Sequence, residues 1–317
     1  MKAVGLDLGG TFIKVGLVSS KGEVLKKTKI PTLGDRGRDQ VLAQMEKGIE
    51  FSLQGEKGVK GIGIGTPGLV DREGIVYLAP NLPNWNGLNL KDYFEKKFSL
   101  PVKVENDVNT ITWGEYLFGA GRGCRNMICV TLGTGVGGGV VVNGKLLSGG
   151  IYSAVEIGHI SINFKGPRCK CGNIGCVERY VGAKYIEAMA RREIRKGRKS
   201  IIKELVKGDL DKITPEIISL AYQKGDRLAE EIWIKVGTYL GTLFSGLVNL
   251  FNPERIVIGG GIAQAGEILF STIKRVIKER SFYLLAKDVE VVPASLGQDA
   301  GIISSASLIL ARDSTLQ

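Results

Sequence analysis

Two stretches of this chain, DLGGTFIKVGLV (Asp7–Val18) and LGTGVGGGVVVNGK (Leu132–Lys145), repeat one pattern: the end of an apolar strand, a Gly/Thr turn and a returning strand. The repetition points to two related lobes, each offering a glycine turn to a shared ligand. Independent hairpins are the competing explanation in a chain with 45 glycines. At about 100–200 residues per domain, 317 residues suffice for two lobes. Around the repeats, strand patterns (2–8, 11–18, 23–30, 59–65, 102–105, 127–132, 137–143, 255–258) alternate with helical spacing (35–53, 89–98, 106–118, 183–196, 214–224, 227–251, 299–311). Hairpins beside helix-connected strands define an α/β chain with mixed sheets.

A composition of 44% hydrophobic and 24% charged residues excludes disorder, collagen and coiled coil. The 43 Lys and Arg against 32 Asp and Glu give +11, which favours an anionic partner: nucleic acid, a membrane surface or a phosphorylated small molecule. No targeting run precedes Asp7, and five cysteines in so long a chain are no disulfide scaffold, so a reducing, cytoplasmic setting is expected. The uncharged run from Val236 to Pro253 is rich in small and polar residues, which suits a buried core helix better than a membrane span.

Glycine turns suit phosphate because backbone N–H groups can converge on an anion without a side chain in the way. GTGVGG (Gly133–Gly138) matches the dinucleotide fingerprint, but that motif must open a helix and here a strand and turn follow. Gly139–Lys145 nearly spells a P-loop, but Leu146 stands where Ser or Thr must hold magnesium. What remains is Asp7-x-Gly9-Gly10-Thr11 with Lys14: a carboxylate placed for Mg²⁺ through water, a phosphate turn, and a lysine on the same face. A plain tight hairpin is the alternative. A third cluster, Gly259–Gly261, ends a strand and suits close approach by a base or ribose as well as it suits an ordinary β–α turn.

The chain's one histidine, His159, lies ten residues before CKCGNIGC (Cys169–Cys176), which holds three of the five cysteines. His159, Cys169, Cys171 and Cys176 supply the four N/S ligands of a closed structural zinc site, with Gly172 and Gly175 letting the loop wrap tightly. Glu156 and Glu178 flank it and suit a polyhydroxylated ligand such as a sugar, while Glu156 could equally be the outer partner of a ligating histidine. Glu105-Asn106-Asp107 ends a strand and opens a helix, where α/β proteins place ligands. Asp107 can accept a proton there, although Asn and Asp are also common helix caps. The basic run Arg191–Lys199 has helical spacing and is expected to be a solvated face rather than a polyanion track.

Taken in order, DLGGT (Asp7–Thr11), GIGTPG (Gly63–Gly68), END (Glu105–Asp107), LGTGVGGG (Leu132–Gly139), EIGH (Glu156–His159) and CKCGNIGCVE (Cys169–Glu178) closely resemble the ROK family, and within it the ATP-dependent sugar kinases of bacteria. The resemblance implies a two-lobed actin-like, hexokinase-like (ribonuclease H-like) α/β fold with a small zinc-binding loop. Residues 1–110 plus 300–317 would form a small lobe, and 111–299 a large lobe carrying the zinc loop 159–178. It implies that Asp107 deprotonates the 6-hydroxyl of glucose for attack on the γ-phosphate of ATP. Gly65, Asn81, Asn106, Glu156, His159 and Glu178 would hold the sugar. Asp7 would serve Mg²⁺; Gly9, Gly10, Thr11, Lys14, Gly133, Thr134 and Gly135 the phosphates; Gly260 and Gly261 the adenosine. Zinc would be structural. Other hexoses (mannose, fructose, N-acetylglucosamine, N-acetylmannosamine), polyphosphate as donor and a non-catalytic sugar-sensing regulator remain as alternatives. With the first strand at residue 2, no DNA-binding segment is expected; no nucleic-acid or membrane partner is expected either, and a homo-oligomer (dimer or tetramer) is. Val155 departs from the resemblance, since relatives commonly carry Gly or Ala directly before the Glu.

Overall fold

A computed structural model describes residues 1–79, 82, 84–150 and 155–311. The chain forms two compact units, residues 1–127, 139–155 and 294–317 in one and residues 128–138 and 156–293 in the other.

The first unit is built on a five-stranded mixed sheet. Its strands β1 (Lys2–Leu8), β2 (Phe12–Ser19), β3 (Val24–Pro31) and β4 (Val59–Thr66) are joined by β8 (Val102–Asn106) in the order β3-β2-β1-β4-β8. β1 reads Ala-Val-Gly-Leu-Asp-Leu from Ala3 to Leu8, and the two-residue period of a strand separates its faces. Val4, Leu6 and Leu8 join Ile13, Val15 and Leu17 of β2 under α1 (Arg38–Leu53), which contributes Val41, Leu42, Met45 and Ile49. Ala3, Gly5 and Asp7 face the other way, where Ala3 and Val18 pack with Ile302 and Ala306 of α11 (Ala300–Leu310). α11 runs close over the sheet because Gly5 and Gly63 have no Cβ: one there would collide with the carbonyls of Ile302 and Ser305. α3 (Asp107–Phe118) packs beside α11, and α2 (Leu90–Phe98) against β8. A small sheet of β5 (Leu69–Val70), β6 (Ile75–Leu78) and β7 (Leu88–Asn89) has strands too short for periodicity to reveal.

The second sheet joins β9 (Met127–Leu132), β10 (Val136–Val142), β11 (Lys145–Leu146), β12 (Arg255–Gly259) and β13 (Glu290–Pro293) in the order β11-β10-β9-β12-β13. Hairpin, hairpin and crossover follow one another as in the first sheet, so the repeat seen in the sequence is a repeat of topology. In the second unit α4 (Glu178–Val181), α5 (Ala183–Arg195), α6 (Ile201–Leu205) and α7 (Pro215–Gln223) precede α8 (Arg227–Phe251), followed by α9 (Glu267–Arg280) and α10 (Tyr283–Ala286). Among the described residues α8 alone is long and apolar enough to cross a membrane. Its apolar side lies against α9, with Gly237 against Thr272 and Gly241 against Val276, as expected of a core helix.

The units divide after Met127, Gly138, Val155 and Pro293 rather than at residues 110 and 299. The cause is α3: it packs against α11, β4 and β8, so the helix that opens at Asp107 stays with the sheet that precedes it.

Candidate active site

In the first unit the sheet register assembles the site. Lys14 pairs with Asp7, Asp7 with Gly65, and Gly65 with Glu105, so four residues from four strands form one row at the carboxyl ends of β1, β4 and β8. Gly9, Gly10 and Thr11 form the turn beyond β1, closed by Gly9 N–H donating to Phe12 O at 3.1 Å, and Gly10 and Thr11 are exposed. Asp7 lies under the first turn of α11, where Gly301 leaves room for its Oδ2. Burial raises the Asp7 carboxyl above its ordinary value, and Lys14 opposes the shift.

One residue past β8, Asp107 begins α3. Its Oδ1 accepts from the N–H of Val108 at 2.9 Å, and the side chain of Asn106 also favours its charged form. Burial pushes its carboxyl up to about 6, against that hydrogen bond and with help from the charge of Asp7. Asn106 is the cap of α3: its Oδ1 accepts from the N–H groups of Val108 and Asn109, and its Nδ2 donates to Gly68 O at 2.9 Å. Capping therefore occupies Oδ1 of Asn106, and its amide group is divided between Gly68 and the carboxyl of Asp107. Glu105 accepts from Asn106 N–H and from Asn109 Nδ2, and burial raises its carboxyl too. Nothing in the sequence near Asp7 or Gly65 announces Gly301 or Ser305, the neighbours from α11; they arrive from almost the whole chain length away.

In the second unit the Gly133–Gly135 turn follows β9, and Thr134 is exposed. Glu178 is bound to this turn. Its Oε2 accepts from Val136 N–H at 3.1 Å and lies 2.6 Å from where a Cβ on Gly135 would sit. The start of α5 adds a hydrogen bond from Ala183 N–H to Gly133 O at 3.0 Å. Gly260 closes in from the neighbouring strand β12: its φ of 90° favours glycine, and a Cβ would strike Leu132 O. The second and third glycine clusters thus meet at the ends of β9 and β12. A 3₁₀ turn, Gly261–Ala265, follows Gly260 before α9 begins.

The four sulfur and nitrogen ligands also converge. His159, Cys169, Cys171 and Cys176 place one ligand atom each within 4.8 Å of one another. His159 Nδ1 is 3.7 Å from Cys169 Sγ, and the sulfurs of Cys171 and Cys176 are 3.7 Å apart. Ligands about 2.3 Å from a central ion occupy a tetrahedron with edges of about 3.8 Å, so the spacing fits zinc. The donor chemistry agrees: burial and the neighbouring thiols push Cys176 up to about 12, which a cation would reverse. Nδ1 faces the cluster, so Nε2 is the ring nitrogen of His159 left for another partner. Glu156 meets His159 through backbone, His159 N–H donating to Glu156 O at 3.0 Å, and its exposed side chain is not the histidine's outer partner.

Asn81 lies outside the described residues. Val155 is described, and its φ of 74° is in the left-handed region, where a β-branched residue is strained. Such a backbone conformation is one that glycine adopts without strain. Four of the six basic residues of the run are ion-paired, Arg191 with Glu187, Arg192 and Lys196 with Glu193, and Arg198 with Glu231, in keeping with a solvated face.

The sequence pattern of the ROK family matches residues 3–312. The chain belongs to the ROK family. It is 39% identical over 313 residues to a glucokinase of Thermotoga maritima, covering 98% of each chain. It superposes with a TM-score of 0.82 and 32% identity on a ROK family glucokinase from Streptomyces griseus in complex with glucose and AMPPNP, over 98% of this chain and 99% of that one. It also superposes on a ROK family transcriptional regulator homologous to the MLC protein of E. coli, with a TM-score of 0.88 and 33% identity, over 98% of this chain and 77% of the regulator. This ROK chain therefore shares its mixed α/β fold with kinases and regulators alike.

Proposed function

We propose that this ROK protein is an ATP-dependent glucokinase in which Asp107 acts as general base on the sugar 6-hydroxyl. The observation that carries the reading is the state of Asp107: a carboxylate held by Val108 N–H at the start of α3, with a proton affinity raised to about 6. A base is most effective when its affinity approaches that of the working solution, and Asp107 stays ionised at neutral pH. The similarity to glucokinases, one of them bound to glucose and AMPPNP, supports the choice of reaction and donor.

In the proposed reaction the hydroxyl proton passes to Oδ2 of Asp107 and the hydroxyl oxygen bonds to the γ-phosphorus. The bond from that phosphorus to the bridging oxygen breaks, and ADP leaves with its electron pair. Such a transfer asks a protein for positioning and charge stabilisation, not for covalent help. The N–H groups of the Gly9–Thr11 and Gly133–Gly135 turns, with Lys14, are the proposed phosphate contacts. The side-chain amide of Asn106, the carboxylates of Glu156 and Glu178, His159 Nε2, Gly65 and Asn81 are the proposed sugar contacts. Asp7 is the residue that would hold magnesium, whose charge would steady the phosphates; a carboxylate whose burial has raised it above its ordinary value fits that role. Zinc, held by His159, Cys169, Cys171 and Cys176, would brace the loop that carries Glu178.

A coupled assay of ADP release across glucose, mannose, fructose and the two N-acetylated hexosamines, with ATP and with polyphosphate, tests the reading. Glucose with ATP is expected to give the highest kcat/KM. No turnover with any sugar would overturn it and leave the second reading, a sugar-sensing regulator, which the likeness to the ROK regulator supports; such a sensor binds sugar without consuming ATP.

A further inference from the structure

A carboxylate stands beside the Gly260-Gly261 turn. α7 is opened by Thr214, whose Oγ1 accepts from Ile217 N–H at 3.4 Å, and by Pro215. The helix packs against the Gly261–Ala265 turn and buries Pro215, Ile218 and Ala221. Glu216 remains exposed, with Oε1 3.8 Å from the place a Cβ on Gly261 would take. Among the described residues it makes no hydrogen bond or ion pair. Its place in the first turn of a helix suits the dipole, but that explains only a charge in this turn, not its seat over a glycine.

The charge decides what such a seat can take. A phosphate beside the exposed carboxylate of Glu216 would be repelled. A neutral group with two O–H donors is attracted, because a carboxylate offers two acceptor oxygens and hydrogen bonds to an ionised acceptor are the strong ones. The vicinal hydroxyls of a ribose are such a pair, and the bare Gly261 leaves room for a sugar ring. We infer that Glu216 accepts hydrogen bonds from the 2′- and 3′-hydroxyls of the bound nucleotide, making this turn selective for ribonucleotides over 2′-deoxyribonucleotides. The inference rests on the nucleotide reading of the glycine turns given under Proposed function.

Calorimetric titration with ADP and with 2′-deoxy-ADP tests it on the intact protein, independently of any sugar. The unaltered chain is expected to bind ADP about tenfold to a hundredfold more tightly than 2′-deoxy-ADP, as loss of one hydrogen bond to a charged group implies. Glu216→Ala should weaken both nucleotides, 2′-deoxy-ADP through its remaining 3′-hydroxyl and ADP through both hydroxyls, so that ADP loses about tenfold to a hundredfold more and the ratio collapses; Glu216→Gln, which removes the charge at constant length, should fall between. An unaltered ratio in Glu216→Ala overturns the inference, as does a chain that never distinguishes the two nucleotides. Failure to bind either nucleotide overturns the nucleotide reading itself and the inference with it. Because Glu216 is exposed and unpaired, unfolding temperatures of the variants should match that of the parent chain.

Discussion

The glycine turns after β1 and β9 begin from the same topology but obtain their carboxylates differently. In the first, the acid is part of the strand: Asp7 lies on the α11 face by simple alternation and is aligned with Lys14, Gly65 and Glu105 by register. In the second, β9 ends in Thr131-Leu132 with no acid, and the carboxylate on the turn is Glu178, which meets Val136 from 42 residues away in sequence. Glu178 begins a four-residue helix directly behind the Cys/His loop. One half builds its charge into the sheet; the other holds it through a loop too small to have a core. The second arrangement should depend on metal, and the first should not.

The largest expected effect breaks the first half without touching the second. Asp107→Asn should lower kcat by about 10²–10⁴ while sugar binding is largely kept; a near-normal rate ends the assignment of the base. The same variant should not lose stability. The Asp107 carboxyl has a folded-state affinity of about 6 against an ordinary 3.8, so the fold favours its protonated form, and the charged form is the less stable one as pH rises through that window. At pH 8 the unfolding temperature of Asp107→Asn should equal or exceed that of the parent.

Next in size is the converse, an attack on the second half alone. The native chain should carry about one zinc, and Cys171→Ser should lose it together with roughly 5–15 °C of unfolding temperature. Hydrogen exchange should then rise around Glu178 and the Gly133–Gly135 turn and stay unchanged around Asp7 and Asp107. Protein purified without metal, or exchange rising equally in both halves, would remove the contrast.

Acid provides a third, graded test. Asp107 must be ionised to accept a proton, so kcat/KM should fall about tenfold per unit as pH drops below about 6. A rate that stays flat to pH 4.5 would mean that another group takes the proton. The smallest effect concerns Val155. Relieving its left-handed backbone with Val155→Gly should stabilise the chain by about 1–3 kcal/mol, offset in part by the added freedom of glycine when unfolded. A loss of stability would show that contacts of the valine side chain outweigh the strain.

Several elements could be read directly from their residues. β9 and α8 fall where periodicity places them, because each has a long, uninterrupted apolar pattern bounded by turn residues. The Cys/His cluster was legible because one histidine and three cysteines in so short a segment leave few other arrangements. β13, only four residues long and ending in proline, and the three short strands between Leu69 and Asn89 carried no comparable pattern. Asn106 shows the limit from another side: its type announced both a cap and a ligand, and only the bonds to Val108, Asn109 and Gly68 reveal how much of it the cap already uses.

By itself, the sequence determined the repeated hairpins, the chemistry available at each glycine turn and the one histidine and three cysteines that could hold a metal. These are local properties, set by two-residue alternation, by residue type and by short spacing. Tertiary structure alone decided that Gly301 and Ser305 border Asp7 and Gly65, that Glu178 sits on the Gly135 turn and Glu216 beside Gly261, and that Asp107 holds its proton to about 6. Those depend on burial and on contacts between residues far apart in the chain, which no local pattern encodes.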